Sequence, residues 1–585
     1  MTPFMGVRIS WLMEAKNELF ARASSSAGSL LSCNRSREPH PHRDAALPHE
    51  AHFRRASPTQ KVMGQPEIQL ILYARLGRPF EDGVEQHSVG MSVGSWDARV
   101  GHGKGGVIFA GSWRPLLMTR VADTVALTVV SGGASGDLSG NSGSMFPAAP
   151  VGLIGISTFT TTRGGGTASM REALFQGLAP DGGLFVPTPL PSLGPESTPP
   201  SPGEFVDSAL WGAERLLKGY VDASTVTRVT RAALSFPVPL VEVEPGVYVL
   251  ELHHGPSSAF KDVGARFMAQ LMSELDESEA PLGKRTVLVA TSGDTGGAVA
   301  SAFHGLERYR IVTLFPRDGI SARQRRQMST LGGNVSAVAV SGTFDDCQRL
   351  AKQAFRQPRI QERHRLTSAN SINVGRLLPQ SFYFIHAWIQ LGGAPARFVV
   401  PSGNLGNLCA GLVAGLAGMP TLGFLSASNA NDVFPRYLRT GSFQARDAVP
   451  TLSNAMDVGA PSNFERIQWL FRDDPKSLSN VVSGASVSDA ETADCIAAVY
   501  RRTGYVLDPH SAVAYRAQER HHGRGDGPTV VLATAHPAKF PDVVERAVGQ
   551  AVELPEGLAA MMDAEEHFAH IAPTLAALED FLADE

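Results

Sequence analysis

From residue 247 onward, apolar positions come in short β-branched runs that alternate with stretches of helical period. VYVLEL (247–252), TVLVA (286–290), RIVTLFP (310–316), NVSAVAV (334–340), RFVVP (397–401), TLGFLSA (421–427) and TVVLA (529–533) predict strands. Between them, Phe267, Met268, Leu271 and Met272 recur at helical spacing. GGAVASAFHG (296–305), SARQRRQMSTLGG (321–333), TFDDCQRLAKQAF (343–355) and NLCAGLVAGLAGM (407–419) also predict helices. The stretch at 321 opens on a capping box, Ser321 to Gln324, and ends on Gly332. Such alternation, with gaps short enough for right-handed crossovers, predicts an α/β fold of two open, mostly parallel sheets flanked by helices. A fresh set of strands starts near residue 395, which divides the pattern into α/β domains at 247–395 and 396–585. Ligands of such sheets bind at the C-terminal strand ends.

Ahead of these lies a helical and short-strand segment, 155–246, expected to pack on the α/β unit. In it MREALFQGLAPDGGLFVP (170–187) reads as helix, turn and strand, and FVDSALWGAERLLKGYV (205–221) follows a Pro-rich connector. Residues 1–154 break the pattern. Ser24 to Pro58 is rich in Arg, Ser, Pro and His, GGASGDLSGNSG (132–143) reads as flexible chain, and the stretch between has scattered glycines without a sustained period. The expectation is a disordered extension or a misassigned start, with a small accessory domain as the alternative. Glu14, Glu18, Glu38, Asp44 and Glu50 argue against an organelle transit peptide.

Composition narrows the function classes. Lys and Arg total 52 against 56 Asp and Glu, with no strongly basic block, so a nucleic-acid partner is not expected. No apolar run is long enough to span a bilayer, so no membrane partner is expected either. Cys33, Cys347, Cys409 and Cys495 are scattered, without a CxxC or zinc-ligand spacing. That predicts a reduced, cytoplasmic setting and no metal site.

Five blocks carry candidate chemistry. In HHGPSSAFKDVGARFMAQLM (253–272), Lys261 stands at a strand-to-helix corner. Such a lysine is either an ordinary surface charge or, beside buried apolar groups, an amine that loses its proton and attacks carbonyls. PSGNLGNLCAG (401–411) joins a strand to a helix, where free N–H groups make an anion cradle or merely a turn. TSGDTGG (291–297) offers Ser292, Asp294 and Thr295 at a second such junction, where an N-cap alone would explain Asp294 or Thr295. SANSINVGRLLPQ (368–380) puts Asn373 and Arg376 at the start of a helix that Pro379 bends. The arginine there either clamps a phosphate or makes a surface ion pair. TAHPAKF (534–540) places Thr534 at a strand end, with His536 and Lys539 read as structural.

Together and in this order, these blocks resemble threonine synthases of the bacterial and fungal type over roughly 157–550, beginning at TFTTTRGGG (158–166). The resemblance implies a fold-type II pyridoxal-phosphate enzyme with the cofactor between the two domains. It implies that Lys261 holds pyridoxal 5'-phosphate as a Schiff base and acts as the catalytic base. Gly403, Asn404, Leu405, Gly406 and Asn407 would hold the cofactor phosphate, although the family commonly has Phe where this chain has Leu405. Asp294 would lie near the ring hydroxyl, and Thr534 would meet the ring nitrogen. Ser292, Thr295, Asn373 and Arg376 would bind the substrate, Arg376 at its phosphate. The implied reaction converts O-phospho-L-homoserine and water to L-threonine and phosphate, in a monomer or small homo-oligomer. A dehydratase-like lyase of the same fold, or a silent homologue acting as a binding protein, is the alternative.

Overall fold

The computed structural model describes residues 157–194, 199–277, 283–521 and 527–584, together with seven short strands between residues 31 and 129. The chain divides into two compact units, Met1–Ser142 and Gly143–Glu585. In the first, the strands form two antiparallel sheets, one of four strands and one of three. The remainder of the extension expected at 1–154 lies outside the described residues.

Two sheets organise the second unit. Their strands are β1 (Leu240–Glu244), β2 (Val247–Glu251), β3 (Arg285–Ala290), β4 (Tyr309–Pro316), β5 (Val335–Val340), β6 (Ala396–Pro401), β7 (Thr421–Ser428), β8 (Val482–Ser486), β9 (Thr529–Ala533) and β10 (Phe568–Ile571). One sheet runs β3-β4-β5-β10 and is parallel throughout. The other runs β1-β2-β9-β6-β7-β8, parallel except at the β1/β2 hairpin. Helices cover both faces, so the strands are continuous apolar runs: Val287, Leu288, Val289, Ile311, Val312 and Leu314 are all buried.

Six helices matter for the site: α1 (Lys261–Glu277), α2 (Asp294–Phe303), α3 (Ala322–Ser329), α4 (Val374–Leu377), α5 (Gly406–Leu416) and α6 (Pro509–Arg520). The capping box read at Ser321 and Gln324 forms, although α3 ends at Ser329, ahead of Gly332. After α4 the chain passes through a 3-10 turn, Leu378–Gln380, into the helix Ser381–Gln390, so the bend at Pro379 is a change of helix type. Helix α5 is buried from Gly406 to Gly415. It approaches its neighbours so closely that a Cβ on Gly411 would lie 2.7 Å from Phe424 and 2.8 Å from Phe384.

Sheet membership does not follow the boundary at 395/396. Strand β2, which leads to Lys261, lies in the six-stranded sheet between β1 and β9, and β10 from the far C-terminus extends the four-stranded sheet beside β5. Each half of the sequence thus lends a strand to the other's sheet. Local period marks a strand, but its partner is set by long-range packing. The segment ahead of β1 is tied to the sheets through hydrogen bonds: Arg466 Nε donates to Phe185 O at 3.0 Å, and Asn373 Nδ2 to Leu174 O at 2.8 Å.

Candidate active site

After β2 the chain turns through Gly255 and Ser258, the latter with φ 53°, and enters α1 at Lys261. Phe260 N–H donates to Thr534 O at 2.9 Å, which pins this corner to the end of β9. Lys261 Nζ lies 3.6 Å from Asp294 Oδ2, at the start of α2. Since α2 follows β3, the contact joins the C-terminal ends of the two sheets. Asp294 is not the helix cap: Thr291 Oγ1 accepts the N–H groups of Gly293 and Gly296, at 2.9 and 2.8 Å. Its carboxylate turns inward instead. Oδ1 lies 2.7 Å from Lys539 Nζ and accepts from Gln324 Nε2 at 3.0 Å.

One buried carboxylate therefore faces two lysines. Burial pulls Lys261 below the ordinary lysine range; Asp294 opposes this, and the nearby Lys539 and Arg376 charges reinforce it. For Asp294, burial alone would raise the pKa, but Lys539 and Lys261 outweigh it and hold the carboxyl well below the usual range. Lys539 is fully buried, and its Nζ is held between Ser257 O, to which it donates at 3.0 Å, and Asp294 Oδ1. Lys261 is the amine poised to lose its proton, which is the form that attacks carbonyls.

Next to it, burial pushes the Asp262 carboxyl up to about 6 from an ordinary 3.8. Oδ2 accepts Ser257 N–H at 2.9 Å, while Oδ1 has no partner. Between those two pH values the folded chain keeps a proton that the unfolded chain releases. Ionised Asp262 thus costs stability above pH 6, by ~3 kcal/mol for a difference of about two pH units, and costs nothing below the unfolded value. Asp262→Asn keeps an oxygen for Ser257. It is expected to melt higher than the parent near neutral pH, with the advantage shrinking as pH falls through about 6 toward 4. A gap in Tm that does not change with pH would remove the titration of Asp262 as its cause.

The loop after β6 leaves free backbone N–H groups at the start of α5, an arrangement that suits an anion. Leu405 caps α5 with φ 58° and no side-chain hydrogen bond. That left-handed conformation costs roughly 1–2 kcal/mol, offset by packing its buried side chain into the core. Among the described residues, the N–H groups of Gly403, Asn404, Leu405, Gly406 and Asn407 have no protein acceptor. A Cβ on Gly403 would stand 2.7 Å from Met456 Cα, so only glycine fits there. The amides of Asn404 and Asn407 are committed to the frame, donating to Ser371 Oγ at 2.6 Å and to Pro401 O at 2.8 Å. The cradle is thus backbone, and a leucine serves at 405 because its side chain points into the core.

The other expected residues divide into two groups. Thr534 is buried at the end of β9, and Ser292 and Thr295 are half-buried beside Asp294. Arg376 is buried near Lys261 and Asp262; Nη1 donates to Ala369 O at 2.5 Å and Nε has no partner. Burial lowers its guanidinium to about 10, against the pull of Asp262. Asn373 faces the frame instead. It accepts Gly375 N–H at 2.9 Å and donates to Leu174 O and Ser368 O, both at 2.8 Å. Lys539 as ion-pair partner and Gln324 as hydrogen-bond donor complete the surroundings of Asp294 and were missed in the sequence. Lys539 reads there as a helix-start charge and Gln324 as a capping residue, because neither pattern reveals burial against Asp294.

The arrangement offers a desolvated amine, a backbone anion cradle and a buried hydroxyl at the strand ends of two sheets. A family model described as pyridoxal-phosphate dependent enzyme matches residues 233–535. The models for the threonine synthase N terminus and the threonine synthase C-terminal region match 158–205 and 511–582. The threonine synthase of Haemophilus influenzae is 43% identical over 398 residues, covering 67% of this chain and 91% of that one. The chain belongs to the threonine synthase family. Its fold agrees with solved threonine synthases. That of Escherichia coli has a TM-score of 0.68 at 38% identity, and pyridoxal-phosphate-bound threonine synthase from Brucella melitensis has 0.68 at 35%. Each covers 73% of this chain and 99% of the other. As a threonine synthase it is a pyridoxal-phosphate-dependent carbon–oxygen lyase, converting O-phospho-L-homoserine and water to L-threonine and phosphate. The site fits that cofactor: the cradle that a Gly403 Cβ would fill suits its phosphate, and Lys261 suits its aldehyde. No helix among the described residues is long and apolar enough to cross a membrane.

Proposed function

We propose that Lys261 is the lysine that holds pyridoxal phosphate and the base that moves the substrate's protons. The observation that carries this is the buried Lys261 amine beside Asp294, at the junction of the two sheets. Pyridoxal phosphate, when bound, supplies an electron sink for the charge left at the α carbon. The backbone N–H groups from Gly403 to Asn407 bind its phosphate, with the N-terminus of α5 behind them. Thr534 meets the ring nitrogen with a hydroxyl, which donates or accepts without forcing the nitrogen to be charged. Asp294 stands near the ring hydroxyl, its charge balanced by Lys539 so that Lys261 remains free to give and take a proton. Lys261 Nζ takes the proton from the α carbon; a second proton leaves the β carbon and phosphate leaves the γ carbon. A proton is then delivered to the γ carbon to make the methyl group, water adds its hydroxyl at the β carbon, and a proton returned to the α carbon completes L-threonine. The Ser292 and Thr295 hydroxyls line the substrate side. Release of phosphate from O-phospho-L-homoserine, with and without added pyridoxal phosphate, tests this reading in wild-type and variant chains.

Arg376 is assigned to the substrate's phosphate, with Asn373 holding it in place by capping α4. Support comes from its burial close to Lys261 and from a guanidinium with unspent hydrogen-bond capacity. Lysine keeps the charge but loses the forked geometry. A charge-assisted hydrogen bond is worth roughly 1.5–3 kcal/mol, so Arg376→Lys is expected to lower kcat/KM for O-phospho-L-homoserine about ten- to a hundredfold. Cofactor Kd, assigned to a separate loop, is expected to stay put. Equal losses in both would make Arg376 part of the frame under the site.

A cytoplasmic setting suits the buried free thiols of Cys347, Cys409 and Cys495. The near-neutral charge fits a small-molecule enzyme without a nucleic-acid partner.

A further inference from the structure

We propose that Glu251, His253 and His254 form a binding site for a divalent transition-metal cation of the zinc class, at a cavity beside the turn that delivers Lys261. One ligand atom from each of the three lies within 4.8 Å of the others. Zinc–nitrogen bonds of ~2.0–2.1 Å place ligand atoms about 3.4 Å apart, within reach of a set already this close. His254 Nε2 already stands 2.7 Å from Glu251 Oε2. The other carboxylate oxygen accepts from Tyr505 Oη at 2.7 Å, which fixes the plane of the carboxylate.

An ordinary His–Glu contact explains only two of the three residues. His253 is 7% exposed, and its Nδ1 is buried without a hydrogen-bond partner. Its ring lies against that of His254, centroids 4.7 Å apart, and meets His536 edge-on at 5.1 Å. A buried, unpaired imidazole nitrogen beside a second imidazole and an anchored carboxylate is the donor set of an open zinc site, three protein ligands and one free position. That free position has room: His253, His254 and His536 line a cavity of about 560 Å³. Glu553 and Glu556 on its wall add negative charge, and the one guanidinium there, Arg266, is occupied with Ala233 O and Ala232 O. No cysteine pair or spaced ligand motif marks the site, because its residues are a strand end and the two positions of a His-His pair.

The position gives the cation a consequence. Glu251 ends β2, and the turn from His253 leads to Lys261 within the same short segment. A bound cation would cross-link the strand end to the turn and stiffen the corner that Phe260 and Thr534 hold from the other side.

Isothermal titration of zinc chloride into the full, cofactor-loaded chain after chelator treatment tests the site, with cobalt(II) absorption as an independent report of histidine ligation. The expected result is one tight zinc equivalent per chain. Affinity should fall about tenfold or more in each of Glu251→Gln, His253→Gln and His254→Gln, with loss of the cobalt spectrum. His254 has a side chain 34% exposed, so His254→Gln tests the site without disturbing the core. Absence of zinc binding by the wild-type chain overturns the proposal. So does binding that His254→Gln leaves within a few-fold, which would assign the metal to others of the chain's 17 histidines.

Discussion

Lys261→Ala is expected to fold, to bind pyridoxal phosphate without the colour of the lysine-linked cofactor, and to turn over at less than about a thousandth of the wild-type rate. A thousandfold loss corresponds to ~4 kcal/mol of barrier. It is the minimum expected when one amine both anchors the cofactor and carries the protons. The fold should survive because the cation is the unfavourable part of its surroundings. Lys539 and Arg376 both repel it, and Asp294 keeps Lys539 and Gln324 when it is gone. Tm should therefore hold or rise while phosphate release stops. A variant that melts normally and keeps more than about a thousandth of wild-type kcat would remove Lys261 from its assigned role.

Asp294→Asn is expected to damage the protein in the opposite way, through stability first. The Asp294 carboxylate lies against both Lys261 and Lys539. Neutralising it leaves Lys539, buried and charged, facing an amide. Breaking a buried pair by removing one partner costs about 3–5 kcal/mol, read as a shift of the denaturation midpoint at constant m. Adding Lys539→Met should recover much of that loss, because the unpaired charge is then gone as well. If Asp294→Asn melts like the wild type, the cluster is not charged as drawn. If the double variant is no more stable than the single, Lys539 is not the unpaired charge responsible.

The sequence shows where local chemistry decides. The β-branched runs became strands within a residue or two, and the capping box at Ser321 formed as its spacing demands. The strand–loop–helix placement of the loop after β6 was legible for the same reason: its glycines sit between an apolar strand and a helical stretch. Leu405 departs from the family's usual Phe, but its side chain is buried in the core and the free N–H groups beside it belong to the backbone. What could not be read is whatever depends on residues far apart in the chain. Lys539 lies 278 positions beyond Lys261, and nothing local distinguishes a lysine buried against Asp294 from a solvated one. The strand exchange through β2 and β10 is hidden for the same reason, as is the commitment of Asn373 to Leu174 and Ser368.

Two lysines flank Asp294, at 3.6 and 2.7 Å, and the more distant one, Lys261, is assigned the cofactor. Borohydride reduction of the cofactor-loaded chain, followed by digestion and peptide mass mapping, decides between them. The expected result is the reduced cofactor on the peptide containing Lys261 and an unmodified Lys539. Label on Lys539, or on neither, would contradict it.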